Sequence, residues 1–203
     1  MGLFGGDDTS APHADLPDRP APGRECDLFF ALMPDADDAH RIDQRSTELR
    51  CSLGAREEHV VAADRLHISL HALGRFFDVP AAQIAQARAA GDALQATRQP
   101  AIDLVLDEAA GYTGRRACPF VLVGSQHTAA LQDLHLRLGI AMADAGLPVT
   151  RRFNPHLTLA YLDRAVEPMA IEPLRWTARR LYLIWSHVGR TRYEFVGEWL
   201  MGH

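Results

Sequence analysis

Leu66-His67-Ile68-Ser69-Leu70 and Pro155-His156-Leu157-Thr158-Leu159 lie 89 residues apart and carry the same order of side chains: imidazole, aliphatic, hydroxyl, leucine. Side chains alternate across an extended chain, so in each copy the histidine and the hydroxyl share one face while the aliphatic residues turn to the other. Each copy therefore reads as a strand with an apolar inner face and a polar outer one. One such stretch arises easily by chance. Two in the same apolar frame, one in each half of the chain, point to a duplicated unit.

The surrounding sequence supplies elements to hold such strands. Cys26 to Met33 is an apolar, aromatic-rich run closed by Pro34, a buried strand. From Asp35 to Leu53, Ile42, Leu49 and Leu53 recur at helical spacing, with acids in the first turn and Gly54 past the end. Arg65 to Leu73 is a strand stopped by Gly74. A helix runs from Pro80 to about Ala96, with Asp78 as its expected cap. Strands follow over Ala101 to Asp107 and Phe120 to Val123, then a helix from Thr128 to about Ala145 ended by Gly146. The remaining strands span His156 to Leu162, Trp176 to His187 and Tyr193 to Leu200. Strands outnumber helices and do not alternate with them as βαβ units, which predicts an α+β fold with an antiparallel sheet. Residues 1–24 show almost no periodic apolar pattern and are expected to form a disordered tail, with residues 25–203 as the folded domain.

Composition excludes several activities. All 21 basic residues are arginine. With no lysine there is no P-loop lysine, no Schiff base and no lysyl-adenylate. The longest apolar stretches are strand-sized, too short to cross a membrane as a helix, and the N-terminus lacks the basic and apolar regions of a secretory signal, so the expected location is the cytoplasm. Cys26, Cys51 and Cys118 form no C-x-x-C pair and read as small buried hydrophobes. Residues 1–111 hold 10 Arg against 19 acids, a net −9, whereas residues 112–203 hold 11 Arg against 7 acids, a net +4. That imbalance suits a local anion site or a surface on which arginine is simply the basic residue in use.

Two histidine strands facing one another would place an imidazole on either side of a bound phosphodiester. One neutral imidazole can take a proton from water while the other, protonated, gives one to the departing oxygen, and the hydroxyls can hold the non-bridging oxygens. Such chemistry requires no metal or nucleotide cofactor. No H-E-x-x-H helix is present, so a metal-dependent hydrolase is the less favoured use of these histidines.

Over about residues 25–200 the chain resembles the 2H phosphoesterase superfamily, in its bacterial RNA 2′,3′-cyclic phosphodiesterase branch, also called 2′-5′ RNA ligase-like. The resemblance rests on the two His-x-Ser/Thr-x motifs, the Leu28-Phe-Phe-Ala-Leu32 strand, Leu73-Gly74, Arg152-Phe-Asn-Pro before the second motif, and Leu181-Tyr-Leu-Ile-Trp-Ser186 followed by Tyr193. It implies two pseudo-symmetric lobes, each with an antiparallel sheet and outer helices, and an active-site cleft between them. By the same resemblance His67 is the proton donor and His156 the proton acceptor, with Ser69 and Thr158 binding phosphate. The substrate is then an RNA end or small nucleotide with a cyclic phosphate, opened to the 2′-phosphate, with weak reverse 2′-5′ ligation and a monomer as default. The chain departs from the family where arginine is common: His71 stands four residues after the first histidine and Tyr161 five after the second. His71, on the face of His67 by strict alternation, is expected still to line the cleft, and Arg152 to supply charge. Phe153, Tyr161 and Trp185 are the candidates for stacking on a base. The same departures suit a second function, a non-catalytic module that holds a nucleotide or RNA end in that cleft.

Overall fold

The computed structural model describes residues 16–18, 20, 24–54, 57–113, 117–124, 129–190 and 192–202. Among these residues nine strands form one antiparallel sheet: β1 (Cys26–Leu32), β2 (Glu57–Val60), β3 (Ile68–Phe76), β4 (Ile102–Gly111), β5 (Cys118–Val123), β6 (Leu157–Leu162), β7 (Met169–Ala178), β8 (Arg180–His187) and β9 (Arg192–Leu200). Three helices accompany them, α1 (Ala36–Leu53), α2 (Ala81–Ala96) and α3 (Ala129–Asp144), and a short 3-10 turn, Ala63–Arg65, leads into β3. Asp35 caps α1 by accepting from the Asp38 amide at 2.9 Å, and Gly54 ends it with φ 58°, a left-handed turn that glycine enters without strain. α2 begins after Pro80, which takes the N-cap position expected of Asp78 and supplies no side-chain cap.

Strand order is β7-β4-β5-β6-β3-β1-β8-β9, with β2 also paired to β6. The antiparallel sheets expected for the two lobes are joined into one: β7-β4-β5-β6, with β2 on β6, meets β3-β1-β8-β9 where β3 pairs with β6 through Ile68 and Leu157. β7 and β8 lie in opposite halves, yet only Arg179 separates them. So short a link forces the sheet to curl until its ends approach. Trp176 to His187, read from sequence as one strand, is this strand bent at Arg179 and shared between the halves. β2 has only four residues and no apolar alternation, and went unread.

The principal core fills one face of the sheet, where Leu28, Phe30, Leu32, Ile68, Leu157 and Leu159 pack with α2 and α3 residues such as Ile84, Leu94, Leu134 and Leu138. The opposite face carries a smaller cluster of Phe29, Ala31 and Ile184, flanked by Tyr193. Gly91 lets α2 approach this sheet: a Cβ there would lie 2.2 Å from the Trp199 ring, whose Nε1–H donates to Asp92 at 2.7 Å. The expected disordered tail falls largely outside the described residues. Asp18, which is described, accepts at its carbonyl from Trp185 Nε1–H at 3.2 Å and pairs with Arg192 at 2.7 Å.

Candidate active site

Pairing of Ile68 with Leu157 brings the two motif strands side by side in antiparallel register. One residue to either side, His67 then stands across from Thr158 and Ser69 across from His156, all on the face away from Ile68 and Leu157, which are fully buried. This is the convergence that the duplicated motif predicts. Phe29 of β1 floors the face, its ring 5.2 Å from that of His67, and Tyr193 of β9 meets the same imidazole edge-on at 5.8 Å.

Both histidines are held in the same way. His67 Nδ1–H donates to the Arg65 carbonyl at 2.8 Å, and His156 Nδ1–H donates to the Asn154 carbonyl at 2.8 Å, each two residues upstream. A carbonyl can only accept, so Nδ1 must carry the proton. Nε2 of each ring is left to hold a lone pair when the imidazole is neutral and a proton when it is charged. The bond thus fixes both ring orientation and tautomer.

Burial is the main cause that pushes His67 below the ordinary histidine range; the Arg65 charge and the second imidazole push the same way, against the Arg65 carbonyl bond. With protein groups alone around it, His67 is neutral at neutral pH. Removing a positive neighbour or adding an anion should raise it. We therefore expect the His67 ring protons to titrate with a midpoint below the ordinary 6.5, moving upward in His156→Ala and again on addition of phosphate. Nuclear magnetic resonance reads this directly, and a midpoint indifferent to both changes would mean that the rings share no anion site.

Ser69 is exposed and Thr158 half-buried on the cleft face. Tyr161 is on that face too, 38% exposed, with its ring centroid 6.3 Å from His59. His71 is not. In β3, Ala31 pairs with Ser69 and Phe30 with His71, so Leu70 is an extra residue, a β-bulge that turns His71 into the core. The second motif repeats it: Val121 pairs with Thr158 and Phe120 with Ala160, leaving Leu159 as the bulge. His71 therefore corresponds to buried Ala160, and Tyr161 to exposed Ala72. The expectation that His71 lines the cleft is corrected on this ground.

Instead, His71 Nε2–H donates to the His135 carbonyl at 2.9 Å, and its ring stacks on His135 at 3.9 Å, which stacks in turn on Phe153 at 4.4 Å. His135 reaches the carbonyls of Leu70 and Thr150 with its two ring nitrogens, tying α3 to both motif approaches. His71→Ala should accordingly cost about 1–3 kcal/mol of stability and leave kcat/KM nearly unchanged. Thermal unfolding beside a steady-state assay separates this from a catalytic role, which would show the reverse.

Phe153 is thus packed in the stack, and Trp185 is fully buried. Of the three aromatic candidates, only Tyr161 faces the cleft. Arg152 is exposed and makes no hydrogen bond or ion pair among the described residues. The residues that do surround His67 went unassigned in the sequence. Arg65 places its guanidinium 4.4 Å over the Tyr193 ring, and the Tyr193 hydroxyl is 3.4 Å from His67 Nδ1. Their distance in sequence hides the contact; only Arg65, two residues before His67, could have been suspected from strand period. Among the described residues, no group of three or more His, Cys, Asp or Glu is placed to hold a metal ion.

Two imidazoles converging from duplicated strands of one curled antiparallel sheet are the arrangement of the two-histidine phosphoesterases. The model of the 2′-5′ RNA ligase superfamily matches residues 34–190, and the chain belongs to that superfamily. E. coli LigT in its apo form is 28% identical, with a TM-score of 0.65, covering 89% of this chain and 99% of its own. LigT complexed with 3′-AMP is similar at 27% identity and a TM-score of 0.66, covering 88% and 99%. TT0787 of Thermus thermophilus shares the fold, at 17% identity and a TM-score of 0.63, covering 86% and 97%. No curated protein matches the chain. Among the described residues, no helix is long and apolar enough to cross a membrane.

Proposed function

We propose that the protein hydrolyses a nucleotide or RNA 2′,3′-cyclic phosphate to the 2′-phosphate by paired-histidine acid–base catalysis, with no resident metal. The observation that carries this function is the mirrored Nδ1–carbonyl bond, which leaves both Nε2 atoms to handle a proton. His156 lies on the more open side, where water can reach it, and takes the proton from the attacking water. His67 gives its proton to the departing 3′ oxygen. A bound phosphodiester supplies the opposite charge that restores protonated His67, and its depressed affinity for the proton makes it the stronger donor once charged. Ser69 and Thr158 donate to the non-bridging oxygens as charge builds.

E. coli LigT has been crystallised with 3′-AMP, NADP+, phosphate and ATP, and this supports a nucleotide as ligand. The cysteines are free, as a reducing compartment allows, which suits a cytoplasmic substrate. We expect turnover of 2′,3′-cyclic nucleotides in excess EDTA between about pH 5 and 8. Turnover seen only after metal is restored would overturn the mechanism, and tight binding of a nucleoside 2′-phosphate without turnover of its cyclic precursor would leave a binding module.

A further inference from the structure

Next to the imidazole pair is a cavity of about 380 Å³ with no part in the chemistry above. It is lined by Arg65 and His59, by the end of β8 and the turn after it as far as Arg190, and by Asp27. The negative charge there is already engaged. Asp27 accepts from Arg75 at 2.7 and 3.0 Å, and Glu194 is drawn to His187 and to Arg192. Among the described residues, neither Arg65 nor Arg190 has a carboxylate partner, and Arg65 Nε is buried without a hydrogen bond. Two guanidiniums without a carboxylate partner thus line the cavity beside the His59 ring. Such a lining attracts an anion with several acceptor oxygens.

The cavity adjoins the reacting groups through named contacts. Arg65 lies over Tyr193, which touches His67, while His59 pairs with Tyr161 on the cleft face. A ligand whose cyclic ester sits between His67 and His156 would extend its 5′ side toward this space.

Resting on the function proposed above, we propose that the cavity holds a second phosphate of the substrate, one ribose away from the scissile ester. The protein would then select nucleotides or RNA ends carrying a 5′-phosphate or 5′-phosphodiester over bare nucleoside cyclic phosphates.

Calorimetric titration of the full chain with adenosine 2′-phosphate and with adenosine 2′,5′-bisphosphate tests this without requiring turnover. The bisphosphate should bind about tenfold tighter or more, the scale of one or two charge-assisted contacts. The ratio should collapse toward one in Arg190→Ala combined with His59→Gln, and persist in Arg137→Ala, which removes equal charge from the exposed face of α3. Equal affinities in the parent protein, or a ratio that survives the double substitution, would overturn the inference. Failure of both ligands to bind would instead remove the proposed function and this site with it. Comparing kcat/KM for two cyclic-phosphate substrates, one with an internal phosphodiester and one with a 5′-diphosphate, identifies the source of the second phosphate. Turnover of both no faster than the bare cyclic nucleoside also counts against it.

Discussion

Alanine at His67 or at His156 is expected to lower kcat for a 2′,3′-cyclic nucleotide by about 10²–10⁴-fold each. Each ring handles one of the two protons, and no neighbouring group in the described cleft stands in for it. The two losses should not multiply, because a reaction already lacking its acid gains little from its base. Both variants should remain folded: the rings lie on the cleft face, opposite the principal core that contains Ile68 and Leu157. Single-turnover kinetics beside circular dichroism decide the matter. A variant that unfolds would make the histidine a packing residue, and one that keeps its rate would remove it from the reaction.

The next largest effect is expected at the hydroxyls. Thr158→Val keeps the shape of the side chain and removes only the donor, and Ser69→Ala does the same with a small loss of volume. Each should reduce kcat by about 10²–10³-fold if the hydroxyl meets charge that develops in the transition state, with a smaller change in KM. Thr158→Ser should restore most of the rate, since serine keeps the hydroxyl and already stands at the equivalent place in the first motif. If kcat holds and only KM rises, the hydroxyls bind substrate and transition state alike.

Several of these residues were recoverable from sequence because strand period carries information over short distances. His67 with Ser69, and His156 with Thr158, needed nothing beyond alternation and repetition. Alternation failed at His71 for a local reason. An inserted bulge residue leaves no mark in composition, since Leu70 and Leu159 continue the apolar pattern across it. A period-two count therefore sends His71 to the wrong face and would send Ala160 there as well. The two bulges agree with one another, so the duplication that revealed the motifs also accounts for the error. Arg152 differs again: its charge and its place before the second motif suit a phosphate ligand, but nothing local decides which way an exposed side chain turns.

Non-local contacts account for the rest. Tyr193 and Arg65 meet across His67 only because β1 lies between β3 and β8, and β8 carries β9 on its other edge. That order depends on which edges bury the most apolar surface together, a sum over the whole chain. By itself the sequence determined most of the element types, the two histidine–hydroxyl pairs and the absence of lysine chemistry, because propensity, periodicity and composition act within a few residues. Tertiary structure alone decided the joining of both halves into one curled sheet, the meeting of Arg65 and Tyr193 around His67 and the cationic cavity beside them. Those depend on rings and charges that meet only after strands far apart in the chain have paired.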